Sequence, residues 1–110
     1  MALDKPAKPI RIRPRASSDI DDLADYIAQE NLDAAIRFLD ALQNTLELIC
    51  GQPRLGSLRY AHLPMLEGLR VLAVTGFGNH LVFYIERSGH VDVLRVLHSA
   101  RDIPLALLDH

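Results

Sequence analysis

The residues best able to take part in catalysis or binding lie where the last predicted strand ends. His98, Arg101 and Asp102 close this stretch, Arg95 lies within it, and Arg70 belongs to an earlier strand. A guanidinium group can stabilise the charge of a phosphate, and an imidazole can move a proton. Arg70, Arg95, His98 and Arg101 could therefore serve a metal-independent ribonuclease. Two residues of the loop before the strands, Tyr60 and His62, could join such a site.

A structural role competes with this catalytic interpretation. Strand alternation places Arg95 and His98 on opposite faces unless a bulge intervenes. In the structural alternative, Arg95 pairs with a carboxylate such as Asp92, Glu86 or Asp102, and His98 makes a hydrogen bond at the strand end. We favour the structural alternative.

The predicted strand Val91–His98 is apolar on both faces, which is typical of a central strand. Alternation predicts two sets of side chains on opposite faces: Val91, Val93, Arg95 and Leu97 on one, and Asp92, Leu94, Val96 and His98 on the other.

Other kinds of site find no support in the sequence. The five histidines lack the spacing of helical metal ligands, and Cys50 is the only cysteine, so we predict no metal site and no disulfide. Neither a glycine-rich phosphate loop nor a nucleophile elbow is present. We predict no cofactor.

Composition favours one small domain. The chain has 110 residues and a net charge of −2, which argues against a general nucleic-acid binder. No apolar run reaches the roughly 20 residues of a membrane helix, and no signal peptide is recognisable. We expect a soluble cytoplasmic protein with a flexible arm over residues 1–9 and a single domain over residues 10–110.

The first half of the domain predicts a short strand and two helices. Ile10–Arg13 alternates as an edge strand and ends at Pro14. A serine cap at Ser17 or Ser18 precedes an amphipathic helix, whose aspartates at 19, 21, 22 and 25 suit the helix dipole and a solvated face. After a break at Glu30 and Asn31, a second helix runs to Cys50.

The second half predicts three antiparallel strands and a short C-terminal helix. The strands are Leu69–Thr75, His80–Glu86 and Val91–His98, and Gly76–Asn79 forms a turn. The order β-α-α-β-β-β is an α+β fold with a helix hairpin packed on one face of a mainly antiparallel sheet. Because one hairpin covers one face, we hypothesise that a partner covers the other, unless the C-terminal segment folds back over it.

The order of motifs resembles the RelE/ParE toxin superfamily, on the ParE side, from about residue 10 to residue 102. The matching motifs, in chain order, are Ala16-x-x-Asp19-Ile20-x-x-Leu23-x-x-Tyr26-Ile27, Ala34-Ala35-x-x-Phe38-Leu39-x-x-Leu42, Pro53-x-Leu55-Gly56, Leu69-Arg70, Val82-Phe83-Tyr84 and Val93-Leu94-Arg95-Val96-Leu97-His98-x-x-Arg101-Asp102.

This resemblance implies the toxin of a type II toxin–antitoxin module. ParE-like toxins inhibit DNA gyrase and are neutralised by a ParD-like antitoxin, a ribbon-helix-helix protein whose tail wraps the toxin. The resemblance thus implies a hetero-oligomer, with no enzyme activity, no membrane partner and no specific nucleic-acid binding of its own. The residues expected to contact the partner are Arg70, Tyr84, Arg95, His98, Arg101 and Asp102.

Two alternatives to gyrase inhibition stay open. RelE-type relatives are ribosome-dependent mRNA endonucleases with a basic catalytic set that often includes a C-terminal tyrosine. This chain has no tyrosine after Tyr84 and no lysine in its second half, so the ribonuclease ranks second. A degenerate, non-toxic binding module is the third interpretation. Alanine at Arg70, Arg95 or Arg101 is expected to weaken toxicity or antitoxin binding and to leave the fold intact.

Overall fold

A computed structural model describes residues 7–64 and 66–110 of the chain. It confirms the predicted α+β fold: two long helices pack on a four-stranded mixed sheet, and a short helix lies near the C-terminus. The elements are β1 Ile10–Ile12, α1 Pro14–Glu30, α2 Leu32–Gly51, a 3₁₀ turn at Pro53–Leu55, β2 Leu69–Val74, β3 Phe77–Glu86, β4 Val91–His98 and α3 Ile103–Ala106.

The sheet has the strand order β1-β4-β3-β2. Strand β4 pairs in parallel with β1 and antiparallel with β3, so it is central, as its two apolar faces predict. Strand β3 begins three residues earlier than predicted, at Phe77. The tight turn needs only Thr75 and Gly76, because Gly76 adopts a φ of 81° that side-chain-bearing residues rarely reach.

Helix α1 begins at Pro14, and the predicted serine cap at Ser17 or Ser18 is wrong. Arg13 occupies the N-cap position, and Pro14 follows it at the first helical position. Proline suits that position because its φ is already helical and its missing N–H would have no helical partner. Helix α2 begins directly after the predicted break. Asn31 is its N-cap, and Asn31 Oδ1 accepts a hydrogen bond from the Ala34 amide at 3.0 Å.

The helix hairpin covers one face of the sheet. The apolar stripe of α2 meets the side chains that β3 and β4 point toward the helices, including Val82, Tyr84, Val91 and Val93. Helix α1 lies against β4. This layer is the predicted core.

The second face of the sheet is covered by the chain itself, so the hypothesis of a face left open for a partner is wrong. A second core contains strand residues such as Leu81, Phe83 and Leu94. The loop before β2 covers these residues with Leu66, and the C-terminal segment covers them with Leu107, which is 1% exposed. The remaining members from the C-terminal segment are Ile103 and Ala106.

A β-bulge in β4 overturns the predicted alternation of its side chains. Phe83 pairs with Arg95 and Tyr84 pairs with Val93, which leaves Leu94 as the extra residue. After the bulge the two faces exchange. Val96 therefore joins the helix-side core with Val91 and Val93, and Leu97 joins the opposite core with Leu94.

Lys8 and Pro9 are hydrogen-bonded to the domain, so the prediction of a flexible arm is wrong for these two residues. The Lys8 amide donates to the Cys50 carbonyl at 3.2 Å, and the Val91 amide donates to the Pro9 carbonyl at 2.9 Å. Residues 1–6 of the predicted arm lie outside the described residues. Among the helices that are described, none combines the length and the apolar character needed to cross a membrane.

Candidate functional site

Arg95 lies at the centre of a buried ion pair with Asp19 of α1. Its Nε donates to Asp19 Oδ2 at 2.7 Å, and its second terminal nitrogen donates to Asp19 Oδ1 at 2.9 Å. The side chains are 1% and 5% exposed, respectively. The other terminal nitrogen of Arg95 donates to the carbonyls of Ala106 and Asp109 at 2.6 and 2.7 Å. The guanidinium therefore joins β4, α1 and the C-terminal segment.

This placement corrects three expectations drawn from the sequence. Arg95 is fully buried, so its side chain is not accessible to a partner or to a phosphate. Its carboxylate partner is Asp19, rather than Asp92, Glu86 or Asp102. Asp19 does not lie on a solvated helix face, because the pairing and a bond from the Val96 amide satisfy it inside the protein.

Tyr84 and Arg70 both hold the segment that follows α2. The Tyr84 hydroxyl donates to the Pro53 carbonyl at 2.8 Å and accepts from the Gly56 amide at 2.8 Å. Burial raises the pKa of Tyr84. Arg70 donates to the carbonyls of Arg54 and Gly56 at 3.1 and 2.7 Å. Tyr84 is fully buried, so the expectation that it contacts a partner is corrected.

Asp102 and the loop residues Tyr60 and His62 also lie apart from any shared site. Asp102 is exposed and caps α3, where its Oδ1 accepts from the Leu105 amide at 3.3 Å. Tyr60 packs edge-on against Phe83 of the second core, with ring centroids 5.6 Å apart. His62 is exposed on the same loop.

His98 and Arg101 are the two predicted site residues that come together on a concave surface. They line a cavity of about 470 Å³ between the C-terminal half of α1 and the ends of β3 and β4. We call this surface the α1–β4 groove, and its lining residues are Leu23, Tyr26, Ile27, His80, His98, Ala100 and Arg101.

A cross-strand pair of histidines forms one wall of the α1–β4 groove. His80 pairs with His98 in the sheet register, and the ring centroids are 5.1 Å apart in an edge-to-face arrangement. His98 Nδ1 accepts a hydrogen bond from the Ala100 amide at 3.0 Å, which is the structural role predicted for it. His80 also packs on Phe38, with centroids 5.0 Å apart.

His80 was not singled out from the sequence. Its position opposite His98 depends on the β-bulge in β4, because regular pairing from Glu86 and Val91 onward would place His80 opposite Leu97. Asp19 could not be identified from the sequence either. It is one of several acids in the first helix, and only its burial in the structure distinguishes it from the others.

We predict that His80 makes the fold less stable as the pH falls. Burial, and then the neighbouring His98, lower the pKa of His80 below its usual value, while a hydrogen bond with the Phe77 backbone opposes this. Below about pH 6.5 the unfolded chain takes up a proton that the folded chain resists, so the free energy of unfolding decreases. Urea unfolding at pH 7.5 and 5.5 should show a smaller decrease for His80→Phe than for the unsubstituted chain. Equal decreases would remove His80 as the cause.

Comparisons with known proteins agree with this architecture. The family described as the ParE toxin of type II toxin–antitoxin system, parDE, matches residues 10–103. Toxin ParE1 of Caulobacter vibrioides is 35% identical over 95 residues, which span 84% of this chain and 91% of that protein.

A solved structure shares the fold at lower sequence identity. A chain of the chromosomal ParDE TA system from P. aeruginosa superimposes with a TM-score of 0.67 at 15% identity, covering 84% of this chain and 96% of that one. The family match spans β1 through the start of α3, and with it every residue that was predicted to form a site. The chain therefore belongs to the ParE toxin family of type II toxin–antitoxin systems.

Proposed function

We propose that this toxin acts by inhibiting DNA gyrase, that it has no hydrolytic chemistry of its own, and that direct binding of a ParD-like antitoxin neutralises it. Gyrase inhibition is the activity that the ParE-side resemblance implies. A ParD-like antitoxin is inferred as the partner because the structural neighbour comes from a ParDE system.

The separation of the four candidate ribonuclease residues in the structure supports a function without hydrolysis. Arg95 is buried in its ion pair with Asp19, and Arg70 donates hydrogen bonds to two loop carbonyls. His98 and Arg101 lie together in the α1–β4 groove. A phosphodiester cannot reach all four groups at once, and the charge-stabilising step of a metal-independent ribonuclease needs free cations beside the proton-transferring groups.

The test compares the two activities with purified components. Toxin added to gyrase should inhibit ATP-dependent supercoiling of relaxed plasmid, and equimolar ParD-like antitoxin, encoded by the reading frame beside the toxin, should restore it. Toxin added to a coupled translation reaction should leave the mRNA intact.

Two results would contradict the proposal. Cleaved mRNA with unaffected supercoiling would make the protein a RelE-type endonuclease. Normal growth on induction, together with unaffected gyrase, would make it a non-toxic binding module.

A further inference from the structure

We propose that the loop after α2 forms the surface through which this toxin contacts its target protein, and that the matching target surface is acidic around an apolar side chain. We call this loop the 54–59 surface, and its exposed side chains include Arg54, Leu55, Leu58 and Arg59. The inference rests on the proposed function, because it assigns a location and a chemistry to the contact with gyrase.

Buried side chains hold the start of this loop in one shape. The Tyr84 hydroxyl bonds to both Pro53 and Gly56. Arg70 donates to the carbonyls of Arg54 and Gly56. Gly56 packs so closely on the tyrosine that a Cβ atom there would lie 2.6 Å from the Tyr84 hydroxyl. Because the loop is already ordered, docking it against a partner costs little conformational entropy.

The loop is also joined to the edge of the sheet. Ser57 forms an antiparallel bridge with Val71 of β2, and both of its backbone hydrogen bonds are 2.9 Å long. Strand β2 is the last strand in the sheet order, so the bridge fixes the loop along the outer edge. A loop positioned by a rigid scaffold in this way is a common place for binding residues.

The 54–59 surface carries an excess of positive charge. Arg59 is exposed and forms no ion pair with any residue in 7–64 or 66–110. The Arg54 side chain is 83% exposed and reaches Glu86 at 3.5 Å, although Lys8 already binds that carboxylate at 3.0 Å. Glu67 lies later in the same loop and pairs with neither arginine. An arginine offers a planar fork that grips a carboxylate, so the surface selects an acidic partner.

Apolar side chains accompany the two arginines. Leu55 and Leu58 are 44% and 49% exposed. Leu55 also lines a cavity of about 600 Å³, together with Cys50 and Pro53, and this cavity can take a side chain of the partner. Surfaces that bind nucleic acid are more polar and more strongly positive than this one, whereas arginine beside large apolar groups is typical of protein interfaces. The partner is therefore a protein.

The 54–59 surface lies at the far end of β3 from the α1–β4 groove. Glu86 ends β3 and lines the cavity beside Leu55, whereas His80 lines the groove. The strand from His80 to Glu86 spans about 20 Å. A protein can therefore occupy one of these surfaces without covering the other. An ordered loop matches the surface of a folded protein with little change of shape, which favours the folded target over a flexible antitoxin tail.

The experiment measures how full-length toxin variants inhibit ATP-dependent supercoiling by the gyrase holoenzyme, and how tightly they bind that holoenzyme in biolayer interferometry. The double variant Arg54→Glu/Arg59→Glu should raise the half-inhibitory concentration about tenfold or more and should weaken binding by the same factor, because both cations become acids. Leu58→Ala should weaken binding about fivefold. Both variants should keep the thermal unfolding midpoint and the affinity for a purified ParD-like antitoxin.

Two control variants separate the surface from general effects of charge. Arg37 is exposed on α2 and forms no ion pair among the described residues, so Arg37→Glu makes the same change of charge away from the loop. Arg37→Glu should leave gyrase inhibition within about twofold of the unsubstituted toxin. Arg54→Lys/Arg59→Lys keeps both positive charges and should inhibit gyrase more strongly than the double glutamate variant.

The other outcomes overturn the inference in distinguishable ways. If the unsubstituted toxin inhibits gyrase and the double glutamate variant inhibits it equally well, the assigned surface is wrong and the proposed function stands. If the variants lose the antitoxin but still inhibit gyrase, the surface belongs to the antitoxin. If the unsubstituted toxin binds plasmid DNA without gyrase and the variants lose that binding, the partner is nucleic acid. Failure of the unsubstituted toxin to bind or inhibit gyrase overturns the proposed function as well.

Discussion

Replacing Arg95 with methionine is expected to lower the free energy of unfolding by about 3–5 kcal/mol, because removing one partner of a buried ion pair leaves the other charge unpaired. The substitution keeps most of the side-chain volume but removes every donor. Asp19 then loses both of its bonds to the guanidinium, and the carbonyls of Ala106 and Asp109 lose theirs. This expectation replaces the sequence-based one that alanine at Arg95 would spare the fold.

Chemical denaturation of four variants tests this prediction: Arg95→Met, Asp19→Leu, the two combined, and Arg37→Met. Arg37→Met is the matched control, since Arg37 is exposed on α2 and should change the free energy of unfolding by less than about 0.5 kcal/mol. Asp19→Leu combined with Arg95→Met should be less destabilised than the sum of the single variants, because the double change leaves no unpaired charge. An Arg95→Met variant as stable as Arg37→Met would contradict the buried role of the pair.

Shortening Leu107 to alanine is expected to cost about 2–5 kcal/mol, as other buried leucines do when a cavity replaces their side chain. Leu107 is 1% exposed and packs in the second core, between the C-terminal segment and the sheet. Its neighbour Leu108 is 78% exposed and provides the matched control, because Leu108→Ala removes the same atoms from water-facing surface.

The same pair of variants tests whether the chain covers its own sheet. Loss of Leu107 should speed amide exchange in α3 and raise binding of a dye that reports exposed apolar surface, whereas Leu108→Ala should do neither. Equal stability of the two variants would mean that the C-terminal segment does not close the second face. The sheet would then be open to a partner, as the strand pattern alone suggested.

The helices and strands were predictable because their signals are local. The stripe of Ala35, Phe38 and Leu42 repeats at helical spacing, and alternation assigns the β3 side chains from Leu81 to Ile85 to the correct faces. The motif order in the sequence also resembled the ParE toxins, which the family match supports. These features depend on residues within a few positions of one another.

The positions of the site residues were not predictable in the same way. A single extra residue at Leu94 exchanges the faces of β4 beyond it, and nothing in the sequence around Leu94 marks the bulge. Strict alternation therefore assigned Leu97 and Val96 to the wrong faces. The bulge is also where Arg95 leaves the regular pattern and reaches Asp19, 76 positions earlier in the chain.

The sequence by itself determined the toxin family, the α+β architecture and the central place of the strand that carries Arg95 and His98. Only the tertiary structure decided which of its charged residues are internal and which are exposed. The physical reason is that an ion pair such as Arg95–Asp19 depends on how α1, β4 and the C-terminal segment meet, and such long-range packing leaves no periodic trace in the sequence. Arg101 is exposed for the complementary reason: no carboxylate in the described chain folds back to meet it.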